Sequence, residues 1–264
     1  MAELWPLYSG STGNSYFIGS KTEGLLVDVG RSARQTVNIL KRCGIDPAGV
    51  CGILVTHEHS DHVSGLRVFC PPNTISPVFC VGRYADGARI HARARRLVPG
   101  VYDRGGAELG GMRVRAFRTP HDCAESLGFR IRTADGKTIA VATDLGSVTP
   151  EIEENLLGID LAVIESNHDV GMLRTGPYPY SLKRRILSEC GHLSNVACAE
   201  LLPELYENGT KRFMLAHLSR ENNTPDIARQ TAVCGMQMAG IEDESRYILD
   251  VAPIENLDGH AVEF

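Results

Sequence analysis

The chain reads as short apolar runs separated by turn-forming residues, with longer amphipathic stretches between some of them. Leu25-Leu26-Val27, Ile53-Leu54-Val55 and Ile139-Ala140-Val141-Ala142 are continuous apolar runs of strand length. Runs of this kind, bounded by Gly, Asp or polar turns, predict buried strands. Strands are expected on this basis at 4–8, 16–18, 25–29, 50–56, 77–81, 112–118, 126–132, 138–143, 160–165, 212–216 and 246–251. Ser32 caps an expected helix running to Cys43, with Gly44 closing it; further helices are expected at 83–97, 149–157 and 195–207. The last begins at Thr224-Pro225, with Thr as N-cap and Pro in the first turn. Residues 9–15, Ser-Gly-Ser-Thr-Gly-Asn-Ser, read as a hairpin loop, or alternatively as a segment whose amides and hydroxyls line a site. The tail from Pro253 is expected to be loosely ordered. Strands followed by helices in both halves predict a layered α/β domain, and 264 residues suit a single one spanning 1–264.

The strand expected at 50–56 runs straight into His57-Glu58-His59-Ser60-Asp61-His62, and a helix is expected to start just beyond, around Val63 to Leu66. Imidazole and carboxylate oxygen are ligands for Zn²⁺, Fe and Mn²⁺. Side chains alternate along an extended segment, so His57 and His59 point the same way and can share one ion. Asp61 and His62 lie past the bend and can address a second. The alternative, a polar surface loop with three histidines, leaves the placement directly after a buried strand unexplained. Other ionisable residues repeat that placement. Asp28, Asp144 and Glu165 end expected strands, His121 follows Pro120 after another, and His217 ends the strand at 212–216.

Composition narrows the function classes. Apolar residues make up 43% and charged residues 22%, ordinary values for a globular chain. A net charge of −5 argues against coating nucleic acid by bulk electrostatics, although a metal site can supply positive charge locally. The N-terminus lacks a basic region followed by an apolar core, no apolar run approaches bilayer length, and a cytoplasmic setting without membrane contact is expected. The eight cysteines form no C-x-x-C pair and are expected to be free and largely buried. Two basic stretches stand out, Arg83 to Arg96 and Lys183-Arg184-Arg185 after Tyr178-Pro179-Tyr180; each reads as a solvated face or as a contact for a polyanion.

H-x-H-x-D-H after a strand, followed in chain order by His121, Asp144 and His217, resembles the metallo-β-lactamase superfamily. Ser9 to Ser15, Glu165-Ser166-Asn167-His168-Asp169, Gly191-His192-Leu193-Ser194-Asn195 and the stretch from His217 to Pro225 resemble the YycJ (WalJ) nucleases within it. The resemblance implies a four-layer αβ/βα sandwich. It implies two divalent metal ions (Zn, Mn or Fe), one on His57, His59 and His121, the other on Asp61, His62 and His217, with Asp144 bridging. Asp28 would hold the metal-binding loop from behind. The expected reaction is phosphodiester hydrolysis by a metal-bridging hydroxide, which Asp61 also orients. The expected substrate is single-stranded DNA, degraded 5′ to 3′, with a role in DNA repair. Similarity to tRNase Z implies that Glu165 orients His192 as proton donor to the leaving oxygen; otherwise His192 caps the helix starting near Ser194. His168 is left between substrate and solvent. A small-molecule hydrolase cleaving a thioester or lactone is the alternative, and a non-catalytic module on a decayed site is disfavoured by the intact ligand set.

Overall fold

The computed structural model describes residues 2–69 and 103–264. In chain order its elements are β1 (Glu3–Tyr8), β2 (Ser15–Gly19), β3 (Gly24–Val27), α1 (Ala33–Arg42), β4 (Val50–Leu54), α2 (Ser60–Val63), α3 (Leu66–Phe69), β5 (Ala107–Leu109), β6 (Met112–Arg118) and β7 (Leu127–Arg132). They continue as β8 (Thr138–Ala142), α4 (Pro150–Leu156), β9 (Leu161–Glu165), α5 (Val170–Thr175), α6 (Tyr180–Ile186), α7 (Asn195–Glu207), β10 (Arg212–Ala216), α8 (Pro225–Met238), β11 (Ile248–Val251) and β12 (Val262–Glu263). The expected strand at 77–81 and the basic helix at 83–97 lie outside the described residues. The class is mixed α/β, with two sheets and helices. The chain divides into two compact units, one of Met1–Phe117, Cys123–Lys137 and Pro253–Phe264, the other of Arg118–Asp122 and Thr138–Ala252.

The first unit holds a sheet ordered β12-β1-β2-β3-β4, in which only β3 and β4 pair in parallel. Every residue of β2 and β3 is buried, which is why these strands read as unbroken apolar runs and not as alternation. Trp5, Phe17, Leu26, Ile53 and Val55 meet Ile39 and Leu40 of α1 in the core. The helix starts as expected, with Ser32 Oγ accepting from the Gln35 amide, and Gly44 follows it in the left-handed region at φ 73°. The C-terminal tail departs from expectation: β12 pairs with β1, Glu255 bridges to Tyr8, and buried Asn256 accepts from the His260 amide. Strand pairing and a satisfied buried amide order a segment whose composition suggested a loose end.

The second unit is built on β11-β10-β9-β8, all parallel. Parallel strands put their C-terminal ends at one edge, where ligands of α/β sheets gather. Register fixes the neighbours there. Ala216 lies opposite Glu165, so His217 emerges one residue beyond it, and Ala142 lies opposite Ile164, so Asp144 follows close by. Behind the sheet α7 and α8 approach closely: a Cβ on Gly235 would sit 2.7 Å from the Ala199 carbonyl oxygen. Thr224 caps α8 as the sequence indicates, and Ser194 caps α7, its side chain accepting from the Ala197 amide. His192 is therefore not the cap of α7. Among the described residues no helix is long and apolar enough to cross a membrane.

Candidate metal centre

Three non-glycine residues among those described adopt a left-handed backbone: Asp28 (φ 62°), Asp144 (φ 57°) and His217 (φ 56°). All three are site residues expected from sequence, and each sits at or just past a strand end. The left-handed region costs a residue with a side chain energy, and Asp and His are among those that tolerate it. Its concentration here marks positions where the surrounding structure holds the backbone against its preference.

In the first unit the site is organised by Asp28. Its buried carboxylate accepts from the Thr56 amide (2.8 Å), the Thr56 hydroxyl (2.8 Å) and His62 Nδ1–H (2.7 Å). Burial pushes the Asp28 carboxyl up, while His62 and Thr56 pull it down. The Thr56 hydroxyl spends its one proton on Asp28, so it must accept from His57 Nδ1, 3.0 Å away. One carboxylate thus fixes two imidazoles, His62 directly and His57 through Thr56. In both, Nδ1 carries the proton and Nε2 the lone pair, the tautomer a metal ligand needs. The expected helix after the motif starts earlier than the apolar pattern suggested: α2 contains Asp61 and His62 themselves.

Ligand atoms bonded to one zinc at 2.0–2.1 Å in tetrahedral geometry lie about 3.3 Å apart. His57 Nε2 and His59 Nδ1 are 2.9 Å apart, and His62 Nε2 and Asp61 Oδ2 are 3.7 Å apart. These separations bracket the value an ion requires.

Sequence reasoning did not assign Asn14. It is fully buried, its side chain closes onto Gly10 through both Oδ1 and Nδ2, and Nδ2 lies 3.0 Å from His62 Nε2. Its main chain bonds to the Asp61 carbonyl and to the Gly30 amide. The stretch at 9–15 is therefore a loop that also lines the site, through the Asn14 side-chain amide. A buried Asn inside a turn-rich segment was the available signal.

In the second unit Glu165 plays the part of Asp28. Its Oε1 accepts from His192 Nδ1 (2.8 Å) and from His217 Nδ1 (2.7 Å), and its Oε2 from the Leu145 and Leu193 amides. Burial alone would raise the Glu165 carboxyl, but the two imidazoles hold it well below the usual carboxylate range. In return, and against its own burial, Glu165 raises His192. The pairing of Glu165 with His192 is thus present, and it extends to His217. His121 donates Nδ1–H to the Gly191 carbonyl (3.0 Å), which again turns the Nε2 lone pair outward, and burial lowers its pKa toward the neutral form. Asp144 Oδ1 stands 3.8 Å from His121 Nε2, 3.8 Å from His192 Nδ1 and 3.6 Å from His217 Nδ1. Ligand atoms of Asp144, Glu165, His192 and His217 all lie within 4.8 Å of one another. The residues of each unit fit divalent metal: His57, His62, His121 and His217 have Nδ1 held by a hydrogen bond, carboxylates stand at ligand spacing, and the surroundings are largely buried.

The remaining motif residues divide by role. Asp169 caps α5 by accepting from the Met172 amide (2.7 Å). Asn195, Asn223 and Ser166 form a buried hydrogen-bonded cluster, and Asn167 Nδ2 donates to the His217 carbonyl (2.8 Å), so this loop braces a proposed ligand. Burial pushes His168 down to about 4. The described cysteines are less buried than expected: Cys43 and Cys198 are buried, Cys51 and Cys123 half-buried, and Cys190 and Cys234 exposed.

Residues 24–218 match the family described as Beta-lactamase superfamily domain. The chain is 38% identical over 232 residues to "Exodeoxyribonuclease YycJ" of Bacillus anthracis, covering 85% of each. It is 33% identical over 244 residues to "Exodeoxyribonuclease WalJ" of Streptococcus pneumoniae, covering 89% of this chain and 88% of the relative. Among solved structures, the metallo-β-lactamase fold protein YhfI from Bacillus subtilis superposes with a TM-score of 0.65 at 14% identity, over 96% of this chain and 97% of its own. The short form of human tRNase Z gives 0.63 at 17% identity, over 99% and 98%. These likenesses show the fold that the sequence led us to expect. The chain belongs to the metallo-β-lactamase superfamily of metal-dependent hydrolases and, within it, to the family of the YycJ and WalJ exodeoxyribonucleases.

Proposed function

We propose that this chain is an exodeoxyribonuclease that hydrolyses single-stranded DNA from the 5′ end with two divalent metal ions. The observation that carries the reading is the second unit's cluster, Asp144 Oδ1 within 3.8 Å of three imidazole nitrogens, in a chain 38% identical to an exodeoxyribonuclease. One ion would be held by His57, His59 and His121, the other by Asp61, His62 and His217, with Asp144 shared. When bound, such ions acidify water and neutralise charge on a phosphodiester oxygen. Zn²⁺, Mn²⁺ and Fe²⁺ all suit this donor set.

The chain's own residues supply the rest. Asp28 and Glu165 keep the ligand imidazoles in the Nε2-presenting tautomer. His192 holds its Nδ1 proton against Glu165, which raises the imidazole's pKa against its burial, and it is the group that donates a proton to the departing 3′ oxygen. Asp61, on the first turn of α2, would also orient the attacking water. A cytoplasmic role in DNA repair accords with this activity.

The test is degradation of end-labelled single-stranded DNA, with and without a 5′-phosphate, in Mn²⁺ or Zn²⁺, with Asp144→Ala in parallel. Stepwise loss from the 5′ end that is absent in the variant is the expected result. No cleavage by fully metal-loaded protein refutes the DNA reading and directs attention to thioester and lactone substrates.

A further inference from the structure

The segment between Asp169 and Glu189 takes no part in the chemistry above. It contains no acidic residue and carries Arg174, Lys183, Arg184 and Arg185, in a chain whose net charge is −5. Arg174 and Arg184 are exposed and form no ion pair among the described residues. Tyr180, the first residue of α6, is 76% exposed, and it is the one aromatic among the large exposed apolar side chains of the described residues. An aromatic ring left in water beside unpaired guanidinium groups is what a sequence-tolerant single-strand platform requires: a face for a base and cations for phosphates.

The platform is tied to the site by short contacts within the second unit. Arg185 makes a two-pronged ion pair with Asp122, the residue next to His121. The His192 amide donates to the carbonyl of Ile186, the last residue of α6 (3.0 Å). A Cβ on Gly191 would fall 2.2 Å from that same carbonyl oxygen, so glycine is needed for α6 to lie this close to the His192 backbone. Gly191 also accepts from His121 Nδ1. The C-terminal end of α6 is thereby locked to both histidines. The alternative assignment, a basic last turn that merely complements a helix C-terminus, accounts for Lys183, which reaches the carbonyls of Arg174 and Gly176. It leaves the exposed ring at the other end of the helix unexplained.

We propose that α6 and the turn before it form the docking surface for the single strand of DNA being degraded, with the Tyr180 ring stacked on a base and Arg184 and Arg174 paired with phosphates. The proposal rests on the exonuclease reading and adds to it where the strand lies outside the reacting centre. Arg185 is engaged with Asp122 and acts as the anchor of the platform, not as a phosphate contact.

Steady-state cleavage of a labelled single-stranded oligonucleotide by the intact metal-loaded protein tests this, with Tyr180→Ala, Tyr180→Phe and Arg184→Ala, and with Met238→Ala on α8 as a remote exposed control. Tyr180→Ala is expected to raise KM about tenfold with little change in kcat, and Tyr180→Phe to restore KM, because stacking needs the ring and not the hydroxyl. Arg184→Ala is expected to lower the slope of log KM against log salt by about 0.7, the value for one phosphate contact on a single strand. If the wild type degrades single-stranded DNA and both alanine variants keep its KM and salt slope, the platform is refuted while the nuclease reading stands. A loss confined to kcat also refutes docking. If the wild type shows no cleavage, the nuclease reading itself fails, and the platform with it.

Discussion

Replacing Asp28 by Asn separates orientation of the ligands from folding. The carboxylate is 1% exposed and accepts three hydrogen bonds, from the Thr56 amide, the Thr56 hydroxyl and His62 Nδ1. Asn keeps the size and tolerates the left-handed backbone at φ 62°. Its Oδ1 can still serve the Thr56 amide, but its Nδ2 offers protons where two donors now point. His62 must then carry its proton on Nε2 and lose the lone pair proposed for the ion. Breaking such an orienting contact typically costs 10- to 100-fold in metal affinity, and about that loss is expected. Asp28→Ala is harsher. It strands three buried donors at roughly 1–3 kcal/mol each, and partial relaxation leaves a net loss of about 3–5 kcal/mol. For a chain of this size that corresponds to a fall in Tm of about 10 °C. Metal affinity by chelator competition and Tm by calorimetry, on the same samples, separate the two effects. If Asp28→Asn binds both ions as tightly as wild type, the tautomer argument is wrong, and His62 is either not a ligand or not oriented by Asp28.

Further outcomes follow from other contacts. Glu165→Gln removes the charge that holds His192 and His217, and the single-turnover rate on a DNA end should fall about 10²–10⁴-fold if His192 is the proton donor; a rate within threefold of wild type would remove it from that role. Gly30→Ala should destabilise by at least ~2 kcal/mol in urea unfolding, because a Cβ there falls 1.8 Å from the Asp61 carbonyl oxygen and 2.4 Å from the Asn14 nitrogen; an unchanged midpoint would show that the α2 loop adjusts freely. Cys198 is fully buried and its thiol is pushed up to about 12. Thiolate, the reactive form, exists only as pH approaches the pKa, so native protein at pH 8 should take up iodoacetamide at Cys190 and Cys234 while Cys198 reacts only after unfolding, as mapped by mass spectrometry.

The sequence alone determined which residues could carry chemistry and which strand ends present them. His57 to His62, Asp144, Glu165 and His217 each follow a run whose burial is written in consecutive apolar letters, and both the strand and its terminus are local properties. The boundaries of β10 and α7 and the caps Ser32 and Thr224 were legible for the same reason. Tertiary structure decided the partners. Asp28 finds Thr56 and His62, 28 and 34 residues away; Asn14 finds His62 across 48; Glu165 binds His192 and His217 across 27 and 52. Periodicity reports which face of an element is buried, but not which distant carbonyl or carboxylate will meet it there. The same limit explains the tail. The letters after Pro253 lack an apolar pattern, and their order comes from pairing with β1, at the opposite end of the chain. It also explains α6: its charges are plain in sequence, but its lock onto Gly191 and His192 exists only because the chain folds back to within hydrogen-bonding distance.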